Sequence, residues 1–172
     1  LDTQPQPTPT VDISQITVIQ NRLKLENTAK SGISWFYWIA ALSLINSGIL
    51  LVNGSISFVV GLAITQFIDG LAMGFAKISD PSMATVIRLG GLLINIFIAG
   101  MFALAGFLGL KRFRTAIIAG MVLYVLDGLL YLYFGEWLAV AFHAWALWSI
   151  FTGLKAINAL KAEEQPKTVT II

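Results

Sequence analysis

The feature that most limits this chain is a succession of apolar runs about as long as a membrane is thick. Runs near 33–52, 56–76, 86–110, 115–134 and 137–154 hold few or no charges. A helix rises 1.5 Å per residue, so about 20 apolar residues cross a hydrocarbon core of roughly 30 Å. Lipid offers backbone groups no partner, whereas a helix satisfies its own. The expected fold is all-α: an integral membrane bundle of about five transmembrane helices. Composition agrees. The chain is 57% hydrophobic and 12% charged, with mean hydropathy +0.81. Soluble domains carry about 25% charge and about 45–50% apolar residues.

Around the bundle, expected over 31–160, lie shorter segments. Residues 1–11 hold three prolines among Thr and Gln and read as a disordered arm. No apolar stretch follows directly, so the arm does not read as a signal peptide. Asp12-Ile13-Ser14-Gln15 fits a capping box that opens an amphipathic surface helix over 12–30. Ile13, Ile16, Ile19 and Leu23 share one face of it, as in helices that lie on a membrane or a neighbour. Ser31-Gly32 is expected to break that helix. Asn53-Gly54-Ser55, Asp80-Pro81, the basic Lys111–Arg114 stretch and Gly135-Glu136 mark the turns between spans. After residue 154 an amphipathic tail, LKAINALKAEE, leads into a polar end over 161–172.

Inside the oily runs the same word occurs twice. Residues 67–74 read FIDGLAMG and 125–132 read VLDGLLYL. A charge at the centre of a span costs roughly 2.5–3.5 kcal/mol on insertion scales, so Asp69 and Asp127 need a reason. Five spans put Asp69 about 12 Å below one face, with Asp127 and His143 at a similar depth. Asn95 and Gln66 fall near that level, and Arg88 reaches it from above along its stem. The same span count gathers Trp35, Tyr37, Trp38, Tyr131, Tyr133 and Trp137 at one interface. It also divides the cations almost evenly. Arg22, Lys24, Lys30, Lys77 and Arg88 fall on one face; Lys111, Arg112, Arg114, Lys155, Lys161 and Lys167 fall on the other. Orientation stays open on that count.

Leu44-Ile45-Asn46 recurs as Leu93-Ile94-Asn95, so each helical hairpin would read LIN then DGL. That pattern suggests a parallel repeat of two-helix units; chance recurrence of short apolar words is the alternative. Gly70 and Gly74 stand one turn apart, and Gly128 follows Asp127, which points to close helix packing at all three.

Several readings of the polar layer compete. It can be a structural network that locks the bundle, or a proton or cation site built on Asp69, Asp127 and His143. His143, in FHAWALW, can also be an axial ligand for haem or chlorophyll, though two-His spacing is missing. A Ser–His dyad would need Ser43 or Ser47 at the depth of His143. With Cys 0 there is no disulfide, Cys-based metal site or thiol chemistry. No HExxH, phosphate loop, GxGxxG or intramembrane-protease GxSG word occurs. No enzymatic activity, cofactor or metal is therefore expected, and a net charge of +2 gives no footing for nucleic acid.

The words SWFYWIAALSLINSG, GLAITQFIDGLA and VAFHAWALW resemble those of small bacterial polytopic membrane proteins of unassigned function. The resemblance implies a multi-pass protein of a bacterial inner or other energy-transducing membrane, and no activity. The expected role is a structural or accessory subunit that packs against other membrane subunits or itself within the bilayer. The alternative is a small proton- or cation-linked transporter or channel.

Overall fold

A computed structural model describes residues 13–51 and 61–164, and all of its regular structure is helical. The expected arm, the Asp12 cap, the Asn53-Gly54-Ser55 turn and the last eight residues lie outside the described residues. The elements are α1 (Ile13–Leu51), α2 (Ala63–Lys77), α3 (Pro81–Leu110), α4 (Arg114–Tyr133) and α5 (Trp137–Glu164). Of these, α1, α3, α4 and α5 are long and apolar enough to cross a membrane. This is a helical membrane protein with four candidate spans among the described residues; the start of the expected second span, 56–60, lies outside them.

The described part of the second expected span is too short to cross by itself. α2 has 15 residues, about 22 Å of helix against a core of roughly 30 Å. Its N-terminus is buried. Leu62 is fully buried and Ala63 nearly so, and Gly61 lies against Asn46 and Ser43 of α1. Its C-terminal turn, in contrast, is exposed at Lys77 and Ile78. α2 therefore starts inside the bundle and runs out to one face.

Pairings along the helices fix their directions. Gly109 meets Ile33, Gly106 meets Phe36, and Asn95 reaches Ser47, so α1 and α3 are antiparallel. Gly32 meets Gly153 and Arg22 meets Glu164, so α1 and α5 are antiparallel too. This overturns the parallel repeat, which needed α1 and α3 to run the same way. It also redistributes the interface residues. The first part of α1, the α3–α4 turn and the end of α5 share one face, called here the basic face. The α2–α3 and α4–α5 turns share the far face. Trp35, Tyr37 and Trp38 fall toward the basic face while Tyr131, Tyr133 and Trp137 fall toward the far one, so the single aromatic belt is not found.

Neither Ser31 nor Gly32 breaks α1, which runs through them for 39 residues. Gly32 is there for packing. A Cβ on it would run into the carbonyl of Ser149 and the backbone of Gly153. The separate surface helix over 12–30 is instead the first half of α1, and the amphipathic tail is the last third of α5. The core collects Ile33, Phe36, Ile39, Phe102, Ile117, Tyr124 and Ile150 between α1, α3, α4 and α5.

Helix ends follow local chemistry. Pro81 sits at the first position of α3, where its missing N–H costs nothing. α3 and α4 both close in Schellman turns. Phe113 N–H donates to Leu108 O and Arg112 N–H to Gly109 O; Glu136 N–H donates to Tyr131 O and Gly135 N–H to Leu132 O. The left-handed position is Gly135 in the second turn (φ 76°) and Arg112 in the first (φ 63°).

Candidate functional site

The start of α2 is where the buried polar side chains converge. A helix leaves its first N–H groups without intrahelical partners, and inside a membrane none can go to water. Leu62 offers no side-chain cap. The cap comes from other helices. Ser43 Oγ accepts from Leu62 N–H at 2.8 Å while donating to Ile39 O. Asp127 of α4 takes the next two groups. Its Oδ2 accepts from Ala63 N–H at 2.8 Å and its Oδ1 from Ile64 N–H at 3.0 Å. The partial positive charge at a helix N-terminus adds to the attraction for a carboxylate.

His143 completes this cluster. Its Nδ1 lies 2.9 Å from Ala139 O, and its Nε2 lies 3.0 Å from Asp127 Oδ2. A carbonyl can only accept, so Nδ1 carries a hydrogen. A lone pair on Nε2 would then face a carboxylate oxygen, so a second proton must lie between Nε2 and Oδ2. His143 and Asp127 thus share one proton across this contact, and two backbone N–H groups are aimed at the same carboxyl group. The His143 ring stacks on Tyr124 at 4.1 Å between centroids and meets the edge of Tyr131 at 5.1 Å. Gly128 makes room for it, since a Cβ there would lie 3.2 Å from His143 Cδ2.

Asp69 belongs to a second cluster on the far-face side of the first. Ser47 Oγ donates to Asp69 Oδ2 at 2.6 Å, and Asn95 Nδ2 donates to Oδ1 at 2.7 Å. Asn95 Nδ2 also lies 2.8 Å from Ser47 Oγ and 3.2 Å from Thr65 O. Arg88 forms no direct ion pair with Asp69 among the described residues. The two line one cavity of about 10 Å³ with Ser47, room for about one water. Arg88 Nε and Asn95 Oδ1 are buried without a hydrogen-bond partner among the described residues.

The expected single layer is thus two clusters, both attached to α2. Asp127 pairs with His143; Asp69 pairs with Asn95 and shares its surroundings with Arg88. Gln66 bonds neither carboxylate among the described residues; it lies beside Tyr131. It lines a cavity of about 660 Å³ with Tyr131, Phe134 and Glu136, opening beside the α4–α5 turn. Of the three glycines expected in packing, Gly128 makes the close approach, but a Cβ on Gly70 or Gly74 would meet nothing within 4 Å. Those two lie on the exposed side of α2. Both ring nitrogens of His143 are engaged, which leaves no lone pair for a haem or chlorophyll. Ser43 and Ser47 are bonded to α1, α2 and α3 groups, away from any dyad with His143.

Tyr124 and the backbone of Ala63 and Ile64 are additions to the expected polar layer, and Tyr131, expected at the membrane border, joins them. Tyr124, Asp127, Gly128 and Tyr131 fall at helical spacing on one face of α4, a signal that was readable. The backbone partners had none, because nothing local marks α2 as starting there. No protein family matches the chain, and neither a curated protein nor a solved structure matches it.

Proposed function

We propose that this protein is a small accessory subunit of a membrane complex, in a bacterial inner or other energy-transducing membrane. The observation that carries the reading is the length and bareness of α1. Its 39 residues extend about 58 Å, close to twice the hydrocarbon thickness. Residues 13–24 of it are exposed, with Ile13 at 78%, Ile19 at 58% and Leu23 at 52%. An apolar stripe on a helix that projects from the bundle is a surface made to be covered. The interior supports the same reading: each carboxylate is bonded within the fold, which suits a lock on α2. Native electrophoresis of the solubilised membrane is the test. The wild type should migrate in a larger assembly, and Ile16→Glu with Ile19→Glu should release it with helical content unchanged. A wild-type chain that migrates alone would sink the proposal.

The four-span arrangement also bears on orientation. Among the described residues, Arg22, Lys24, Lys30, Lys111, Arg112, Arg114, Lys155 and Lys161 lie toward the basic face, and only Lys77 and Arg88 toward the far one. Cytoplasmic loops carry the excess of Lys and Arg, so the basic face is assigned to the cytoplasm. Labelling of single cysteines at positions 24 and 136 in intact cells should modify only the second.

One observation favours a transport reading as an alternative. The floor of the 660 Å³ cavity includes Ala63 and Ala139, the backbone partners of Asp127 and His143. A shift of α2 would expose that pair to the far face. Proton flux in proteoliposomes that disappears in Asp127→Asn would support it; equal flux in both would remove it.

A further inference from the structure

The geometry points to a binding site for an anionic phospholipid on the basic face, formed by α1, the end of α3 and α5. The site is a cavity of about 390 Å³. Lys30 and Arg112 supply its cations, Ile33, Leu110 and Leu160 its apolar wall, and Glu26 its one carboxylate. It lies where α3 ends at Leu110 and the chain turns out of the bundle, the level at which headgroups meet acyl chains.

The charges there do not cancel. Glu26 and Glu164 are answered by Arg22 and Arg112. Arg22 reaches Glu26 and Glu164 at 3.3 Å each, and Arg112 Nη1 reaches Glu164 at 2.7 Å. Lys30 is exposed and forms no ion pair among the described residues, so it remains as surplus positive charge. Arg112 has donors left, because a guanidinium carries five N–H groups and its contacts, Nη1 to Glu164 at 2.7 Å and Nη2 to Glu26 at 3.9 Å, engage only part of them. Its backbone φ of 63° belongs to a position where Gly is usual, so the side chain is present despite its backbone cost.

A soluble anion would use the two cations and ignore the apolar wall. A phosphodiester that carries acyl chains uses both, and basic pockets between spans on the cytoplasmic side hold such headgroups. The volume suits a headgroup and the first methylenes, with the remaining chain lying along α3 in the bilayer.

Native mass spectrometry of the detergent-purified full chain, titrated with phosphatidylglycerol or phosphatidylcholine, tests it. Phosphatidylglycerol should bind the wild type more tightly than phosphatidylcholine. Lys30→Gln should weaken phosphatidylglycerol about fivefold, the worth of one cation near the headgroups. Lys30→Arg should restore it, and Lys77→Gln on the far face should leave it unchanged. Equal affinity for the two lipids, or equal losses in Lys30→Gln and Lys77→Gln, would overturn the site. Full competition by inorganic phosphate would overturn the lipid as its ligand.

Discussion

FIDG in α2 and VLDG in α4 are nearly the same word, and the molecule uses them in opposite ways. Asp127 stands on a complete span and acts on another helix, 64 residues back in the chain, by capping its buried end. Asp69 stands on that capped helix and accepts from neutral side chains. Gly128 is pressed by a histidine; Gly70 faces open space. The identity of a buried residue therefore says little about its task. The task is set by what lies across the interface, and for Asp127 that is a set of donors with no other acceptor.

The comparison is broken or kept first by removing each carboxylate. Asp127→Ala leaves the Nε2 of His143 and two backbone N–H groups unanswered in a dry interior. Loss of one member of a buried pair costs about 3–5 kcal/mol, and unfolding in mixed micelles should read a loss of that order. Asp127→Asn should cost less, because its amide can accept one N–H and donate to Nε2. Asp69→Ala removes one acceptor from a network whose Ser47 and Asn95 still bond each other. About 1–2 kcal/mol is expected. Equal losses at the two positions would mean that the cap on α2 carries no special weight.

The same contrast separates what was legible in the sequence from what was not. The spans of α3 and α4 could be bounded within a few residues, because unbroken hydropathy and the Pro81 and Gly135 turns are local signals. α2 could not. Its residues continue an apolar run that begins upstream, and hydropathy reports the surrounding solvent, not the place where a helix starts. The start is fixed by Asp127, Ser43 and Gly61, none of which is recognisable as a cap without the tertiary fold. Counting α2 as a span inverts every later face relative to α1, and the even split of the cations and the common aromatic belt follow from that count. Gly32 misled for a related reason: a helix breaker by propensity is also the residue that lets two backbones touch. Asp127 and His143 could be placed at matching depth by counting residues from the α4–α5 turn. The shared attachment to α2 could not.

The two glycines sharpen the comparison at smaller scale. In Gly128→Ala the new methyl group crowds His143 Cδ2 at 3.2 Å, and the ring is held between Tyr124 and Tyr131. A loss of about 1 kcal/mol is expected, the lower end of overpacking costs. In Gly70→Ala the methyl group meets no neighbour, so the helix gains about 0.5–1 kcal/mol from the better propensity of Ala. The measured signs should therefore be opposite. Two losses would place Gly70 in a contact, and the exposed side of α2 would be the first place to seek a partner subunit.

The smallest effect belongs to the two Schellman turns, which pose the same question outside the hydrocarbon. Arg112 and Gly135 occupy equivalent left-handed positions, and Arg there costs roughly 1 kcal/mol of backbone strain relative to Gly. Arg112→Gly removes that strain and also removes the link from the α3–α4 turn to Glu164 and Glu26. Half-exposed ion pairs contribute about 0.2–1 kcal/mol, so the two terms nearly cancel. Stability at low salt should change by less than about 0.5 kcal/mol. Salt should reveal what the sum hides. Screening weakens the wild-type pairs and leaves the backbone term untouched, so in high salt Arg112→Gly should become the more stable of the two. If the variant stays below the wild type at all ionic strengths, Arg112 holds α1 and α5 by packing along its stem, and its charge is free for another partner.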